Sequence, residues 1–180
     1  MIETARLALS AWTQAERDPF IAMCADPEVM HDYGGAWDRA RAEQRFERHL
    51  TAFARNGCCK WVLRDKSSGG FLGYCGLDPT WPTLPVAPGL EIGWRLNRAA
   101  WGQGYATEAA RAALTDIFAR TDAAEVISFT SPTNARSLAV MARLRLIRDA
   151  SRDFVHESGD PAVVFVAPRS RYAAGAEGET

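Results

Sequence analysis

The sequence predicts a single mixed α+β domain, and three observations point to it. Strand-like runs of alternating or apolar residues recur along the chain, with amphipathic helical runs between them. The 180 residues are 47% hydrophobic and 24% charged, which suits one soluble domain with a sizeable core. We expect the domain to span residues 1–170 and the polar, small-residue tail 171–180 to be disordered.

The first half of the chain is predicted to hold a strand, two helices and a hairpin. The run 6–12 alternates as a strand does, and a short helix after it stops at Pro27. Asp38 caps a second, amphipathic helix. Within 60–77, the turn DKSSGG joins two strands. The second helix carries arginines interspersed with glutamates, which favours a solvated face over an anion site: Arg39, Arg41, Arg45, Arg48 and Arg55.

The second half alternates strands and helices before it closes on strands. The runs 90–96 and 125–131 have strand character. A helix follows each of them, over 104–120 and 134–144, and the first has an alanine-rich apolar stripe. Two closing strands follow after the second helix.

Charge and cysteine usage predict a cytoplasmic protein that binds neither nucleic acid nor a membrane. The formal net charge is −1, and no apolar run approaches the ~20 residues of a membrane helix. The N-terminus lacks the apolar segment of a secretory signal. The four cysteines form no C-x-x-C pair and are expected to be reduced thiols, and the three histidines lie too far apart to predict a metal site.

Two glycines, Gly102 and Gly104, directly precede the alanine-rich helix and favour an anion site. The first turn of a helix has unpaired N–H groups and a partial positive charge. Glycines before it let a ligand approach the backbone closely. The pattern fits a loosened turn without a ligand equally well.

Two common phosphate motifs fit this loop poorly. A P-loop needs Gly-Lys-Ser or Gly-Lys-Thr, whereas the loop contains Gly-Gln-Gly-Tyr. A dinucleotide site needs its glycines directly after a strand and an acidic residue at the end of the next strand. Here the stretch 97–101 intervenes, and the strand 125–131 has its glutamate at the start.

Two stretches, GLEIGWRLNRAAWGQGYATEAARAAL and SFTSPTNARSLAVMARL, resemble the GNAT superfamily of N-acetyltransferases, in the branch that contains RimJ and RimL. The resemblance covers almost the whole chain. It implies a three-layer fold of about seven mostly antiparallel strands, with a central parallel pair that splays apart and helices on both sides. It also implies direct transfer of an acetyl group from acetyl-CoA to a primary amine of a protein N-terminus or a small molecule.

The resemblance assigns acetyl-CoA to the gap between the splayed strands. The pantetheine arm would bond the backbone of Trp94, Arg95 and Leu96. The pyrophosphate region would involve Trp101, Gly102, Gln103, Gly104, Tyr105, Ala106 and Thr107. On the far side, Asn134, Ser137 and Met141 would flank the thioester and the pantetheine.

Two residues are candidates for the chemistry. Glu91 is the candidate general base, since a carboxylate on the strand 90–96 can point into the cleft, although a structural charge fits the position equally well. Ser137 is a candidate to hydrogen-bond the departing sulfur, or is simply a polar residue in a first helical turn. In the family, a tyrosine that protonates the thiolate often occupies the position of Met141.

Two alternatives remain open at this point. The missing tyrosine is also consistent with a degenerate acyl-CoA binding module without turnover. A cysteine ping-pong route through Cys24 or Cys75 is disfavoured, because neither has a histidine and a carboxylate near it in sequence.

The acceptor pocket is expected beside the thioester, between the segment 26–37, the proline-rich loop and the region after 150. Carboxylates and aromatic rings in these segments suit a cationic amine, although they also suit ordinary loops. The candidates are Asp32, Tyr33, Trp37, Asp78 and Trp81. A homodimer is left open.

Overall fold

The computed structural model describes residues 1–86 and 88–172. Within these residues, nine strands form the central sheet: β1 Ile2–Glu3, β2 Leu7–Ser10, β3 Lys60–Asp65, β4 Phe71–Pro79, β5 Leu90–Leu96, β6 Glu125–Thr130, β7 Ile147–Arg148, β8 Phe154–Val155 and β9 Pro161–Pro168. The α-helices of the same residues are α1 Arg17–Cys24, α2 Arg39–Asn56, α3 Tyr105–Arg120, α4 Ala135–Arg143 and α5 Arg169–Tyr172.

The sheet is antiparallel except at one pair of strands near its centre. The order is β1-β2-β3-β4-β5-β6-β9-β7, and β8 pairs with β9. Strands β5 and β6 run parallel and share one ladder pair in the described chain, Glu91 with Ile127. Next to that pair, the Ser128 hydroxyl donates to the carbonyl of Ile92 at 2.9 Å. The mixed sheet with a parallel pair is therefore confirmed. The two-residue strands β1, β7 and β8 raise the count above the expected seven or so.

Helix α3 packs on one face of the sheet, against β4 and β5. Its inward stripe includes Ala109, Ala110, Ala113 and Leu114, all fully buried. Small alanine side chains let the helix lie close to the strands. Because α3 is held in this way, the loop before it stays next to the end of β5.

Helices α1 and α2 bury a second core that contains Phe20 and Phe46. Val62 belongs to this core, whereas its neighbour Leu63 belongs to the core under α3. Adjacent strand residues point to opposite faces, so the two cores lie on opposite sides of the sheet. Helix α2 begins at Asp38, whose carboxylate accepts a hydrogen bond from the N–H of Arg41 at 2.7 Å.

The tail that we expect to be disordered, residues 171–180, falls mostly outside the described residues. Arg171 and Tyr172 belong to α5, and residues 173–180 lie outside the described chain. The Tyr172 hydroxyl donates to the carbonyl of Leu144 at 2.5 Å, and the Tyr172 ring stacks on Phe118. None of the helices in the described residues is both long and apolar enough to cross a membrane.

Candidate active site

The loop before α3 has the backbone conformation that its glycines predict. Gly102 has φ +75° and Gly104 has φ +80°, values that side-chain-bearing residues rarely adopt. Gly104 is the N-cap of α3, and in the described chain no side chain caps this helix. The first N–H groups of α3 are therefore open to an anion or to water.

A cavity of about 510 Å³, the loop cavity, lies between the end of β5, this loop and α4. It gathers most of the predicted coenzyme residues: Trp94, Arg95, Leu96, Trp101, Gly102, Gly104, Tyr105, Ala106, Thr107, Asn134 and Ser137. Asn134 is also the N-cap of α4, where its side chain accepts from the N–H of Ser137 at 3.1 Å.

Two predicted coenzyme residues, Gln103 and Met141, do not line this cavity. The Gln103 amide turns back and donates to the carbonyl of Ala99 at 2.8 Å. Met141 is fully buried in the core under α3, because it lies one turn beyond Ser137 on the face with which α4 packs on that core.

The loop cavity has further features of an anion site. The Thr107 hydroxyl is buried against it and has no hydrogen-bond partner in the described chain. Arg136 and Arg143 line it from α4, and the Arg136 guanidinium lies 4.0 Å from the Trp101 ring centre. Their i, i+7 spacing places both on one helix face and is the sequence signal that could have found them. An unpaired hydroxyl, two cations and a helix N-terminus together fit a phosphorylated ligand.

A second cavity of about 270 Å³, the sheet cavity, adjoins the first and shares Asp32, Trp94, Arg95 and Ser137 with it. The candidate base and most predicted acceptor residues line it: Glu91, Asp32, Tyr33, Asp78 and Trp81. Trp37 does not, because its ring is buried in the core under α1 and α2. The two cavities therefore meet beside the splayed strands, where β5 and β6 separate.

A lysine holds two carboxylates together in the sheet cavity. Asp78 and Glu91 face each other across β4 and β5. Lys60 Nζ lies 2.9 Å from Glu91 Oε2 and 3.8 Å from Asp78 Oδ2. A Cβ on Gly93 would come within 2.8 Å of both Lys60 Nζ and Glu91 Oε1, so the glycine leaves room for this ion pair. The three charged side chains are only 14–22% exposed, which strengthens their interaction.

Burial and charge set the protonation of this cluster. Burial raises the pKa of Asp78, and the charge of Glu91 adds to the rise, while Lys60 opposes it. Burial alone would lower the pKa of Lys60, but the carboxylates of Glu91 and Asp78 outweigh it and raise the pKa. Lys60 is therefore protonated at neutral pH. Asp78 accepts a proton more readily than an exposed aspartate does.

A bidentate ion pair lies where the two cavities meet. Arg95 donates to both oxygens of Asp32, at 2.7 and 3.0 Å. Its guanidinium also lies 4.4 Å from the ring centre of Tyr33. The charge of Asp32 is thus neutralised within the protein, and the ion pair ties the segment His31–Tyr33 to β5.

Comparison with known proteins supplies the family. The family model of the Acetyltransferase (GNAT) domain matches residues 6–147 of the chain. The chain belongs to this family. Two curated relatives match parts of the chain. The uncharacterized protein YkkB of Bacillus subtilis is 32% identical over 119 residues, which cover 66% of this chain and 68% of YkkB. The FsC-acetyl coenzyme A-N(2)-transacetylase of Aspergillus fumigatus is 33% identical over 149 residues, 78% of this chain and 62% of that enzyme. The chain thus spans less than two thirds of the fungal enzyme.

Solved acetyltransferase structures share the fold. An acetyltransferase from Agrobacterium tumefaciens superposes with a TM-score of 0.79 at 25% identity, over 92% of both chains. A spermidine N-acetyltransferase from Vibrio cholerae, in complex with CoA and spermine, gives 0.71 at 13% identity, over 94% of this chain and 99% of that one. The RimL ribosomal L7/L12 acetyltransferase in complex with CoA gives 0.72 at 13%, over 92% and 95%. The last two likenesses concern the fold alone.

In this GNAT acetyltransferase, sequence reasoning missed several residues of the sheet cavity: Arg45, His49, Lys60, Tyr74, Phe129 and His156. They come from α2, three strands and a loop, so no local motif marks them. His49 stacks on Trp12, and burial lowers its pKa to about 3. It therefore contributes a neutral ring to the cavity at physiological pH.

The cysteines of the acetyltransferase are buried thiols. In the described residues none of the four lines the loop cavity or the sheet cavity. Burial raises the pKa of Cys24 to about 11 and raises that of Cys75 as well. Across residues 1–86 and 88–172, no group of three or more His, Cys, Asp or Glu side chains could hold a metal ion.

Proposed function

We propose that the chain transfers an acetyl group from acetyl-CoA directly to a primary amine. The observation that carries this proposal is the junction of the two cavities at Ser137, next to the splayed strands. A donor in the loop cavity and an acceptor in the sheet cavity would meet there, and such proximity accounts for much of the rate enhancement in group transfer. We further propose that the protein belongs to the RimJ/RimL-like branch, because its two motifs resemble that branch. We also propose that it acts in the cytoplasm.

The loop cavity would hold acetyl-CoA, which supplies the acetyl group as a reactive thioester. The β5 edge at Trp94–Leu96 loses its parallel neighbour and offers backbone groups to the pantetheine arm. The α3 N-terminus, the Thr107 hydroxyl and the arginines Arg136 and Arg143 suit the phosphates.

Carboxylates that line the sheet cavity would remove a proton from the acceptor. A primary amine arrives as an ammonium ion and must lose a proton before it attacks. The Asp78–Glu91 pair is our general base. We assign the proton to Asp78, because burial raises its pKa. Glu91 accepts a hydrogen bond from Lys60. As the carbon–nitrogen bond forms and the carbon–sulfur bond breaks, Ser137 offers its hydroxyl to the departing sulfur.

The cysteine route has little support. A ping-pong mechanism needs a thiolate at the junction, whereas Cys24 and Cys75 are buried away from both cavities with raised pKa values. Direct transfer needs no covalent intermediate on the enzyme.

Thr107→Val tests the binding half of the proposal. The change replaces a buried, unpaired hydroxyl by a methyl group, so the free protein should keep or slightly gain stability. Acetyl-CoA should bind about 5- to 15-fold more weakly, which corresponds to one lost hydrogen bond. Titration calorimetry measures the affinity, and NAD and ATP should bind the wild type far more weakly.

The matched control is Thr115→Val on the same helix. The Thr115 hydroxyl donates to the carbonyl of Arg111 and lies outside the loop cavity. This variant should bind acetyl-CoA as the wild type does. Equal affinity of the Thr107 variant and the wild type would remove the hydroxyl from the site, and preference for NAD would overturn the assignment of the cavity.

A further inference from the structure

A third cavity, of about 230 Å³, opens beside the sheet cavity and shares Tyr33, Arg45 and Trp81 with it. We call it the arginine cavity, because Arg41, Arg45 and Arg48 line it. In the described chain no carboxylate lines it. It extends the space available to an acceptor from the splayed strands outwards along α2.

The three arginines are not neutralised by neighbours. Their spacing along α2 places them on one helix face. Glu43, which lies between Arg41 and Arg45 in the sequence, pairs instead with Arg17 at 3.1 Å and with Arg39 at 2.9 Å. None of the three has a carboxylate within 4.0 Å among residues 1–86 and 88–172. Arg41 and Arg48 are exposed, as the predicted solvated face requires, and Arg45 is half-buried.

Aromatic rings hold two of these cations in place. The Arg41 guanidinium lies 4.4 Å from the Trp37 ring centre, and that of Arg45 lies 5.6 Å from the Trp81 ring centre. Cation–π contacts orient a guanidinium and leave its N–H groups free to bind an anion. The arrangement suits carboxylates, which guanidinium groups bind in a bidentate manner.

The connected cavities have opposite charge at their two ends. Near the splayed strands, the ion-pair cluster of Asp78, Glu91 and Lys60 has one net negative charge. Arg45 lines both the sheet cavity and the arginine cavity and marks the boundary between them. Asp32 and Arg95 neutralise each other where the loop cavity meets the sheet cavity. The far end carries the unpaired arginines. A ligand with an amine at one end and a carboxylate at the other matches this polarity, whereas a polycation would place positive charge against Arg45.

We propose that the acceptor is an amine that carries carboxylate groups, with its amine towards Asp78 and its carboxylates on Arg45, Arg41 and Arg48. This inference rests on the proposed acetyl transfer and names the class of acceptor. It narrows the expected cationic amine to one that also carries carboxylates. Acidic amino acids and peptides with acidic residues after a free N-terminus both have this chemistry.

The test compares acceptors that differ only in charge. One arm uses glutamate against glutamine, and the other uses the peptide Ser-Glu-Glu against Ser-Gln-Gln, each with acetyl-CoA and a thiol readout. In at least one arm the acidic member should have a kcat/KM about 10-fold or more higher, the expected size for a hydrogen-bonded ion pair. The arm that shows the preference tells whether the source is a small molecule or a peptide.

Arg45→Gln should remove most of this preference. Arg55→Gln is the matched control, because Arg55 is exposed on the same helix, donates to Thr51 and lies outside the three cavities. It should keep the preference. Equal rates in both arms, faster turnover of spermidine than of any acidic acceptor, or an Arg45 variant that matches the Arg55 variant would overturn the inference.

Calorimetry with acetyl-CoA on the same samples distinguishes a failure of this acceptor class from a failure of the proposed acetyl transfer. Wild-type protein that binds acetyl-CoA but acetylates none of the four acceptors would overturn the acceptor class alone. Wild-type protein that does not bind acetyl-CoA would overturn the proposed transfer itself.

Discussion

Asp78→Asn is expected to lower kcat by about 10²- to 10⁴-fold, the usual cost of losing a general base. The asparagine keeps the size of the side chain but cannot accept a proton from the ammonium group of the acceptor. Acetyl-CoA affinity should stay unchanged, because Asp78 lies in the sheet cavity and outside the loop cavity. The measurement is the pH–rate profile of kcat/KM for the wild type and the variant.

The direction of the pH effect follows from the pKa of Asp78. Burial and the charge of Glu91 raise it, so wild-type activity should rise with pH through a value above that of an ordinary aspartate. The variant should lack this limb, and its deficit should shrink at high pH, where the amine is already neutral.

Glu91→Gln is the companion variant that separates the two carboxylates. Glu91 is hydrogen-bonded to Lys60, so its loss should lower kcat less than the loss of Asp78 does. A larger effect at Glu91 would make it the base, and near-normal rates in both variants would mean that the acceptor arrives neutral or loses its proton elsewhere.

Lys60→Met is expected to destabilise the fold by about 3 kcal/mol. Its removal leaves two carboxylates facing each other with little solvent around them. Lys66→Met is the control, because Lys66 pairs with Glu3 at an exposed site and its loss should cost under about 1 kcal/mol. Urea denaturation measures the free energy of unfolding of each variant.

Acidification should reduce the difference in the free energy of unfolding between Lys60→Met and the wild type. Without the ammonium group, the two carboxylates repel each other, so their pKa values in the folded variant lie above those in the unfolded chain. The variant then gains stability as the pH falls through these raised values. A gap that widens on acidification, or a loss no larger than that of Lys66→Met, would contradict the account of the cluster.

The sequence predicted the parts of the site that local patterns encode. Gly102 and Gly104 before an alanine-rich helix mark the anion loop, and Asn134 marks the start of α4, because backbone conformation and helix caps are set by a few adjacent residues. The splayed strands were predicted from the resemblance to the GNAT superfamily and not from a local pattern.

The parts that depend on distant contacts could not be predicted. Lys60 contacts Asp78 and Glu91 only because β3, β4 and β5 pair in one particular register. The register of paired strands cannot be predicted from a single sequence. Arg45 looked solvated because glutamates are interspersed along α2, whereas helix geometry turns Glu43 towards Arg17. Met141 lay at a position that the family uses for chemistry, yet its apolar side chain packs in the core.

We propose that this chain moves an acetyl group from acetyl-CoA to an amine where the loop cavity meets the sheet cavity. Release of free thiol from acetyl-CoA, followed with and without amine acceptors in the wild type and in Asp78→Asn, tests it most directly. The account predicts thiol release that depends on the acceptor, equals the amide formed and falls sharply in the variant. Acetyl-CoA that binds to the wild type but yields no thiol with any amine would contradict it and would identify a binding module without turnover.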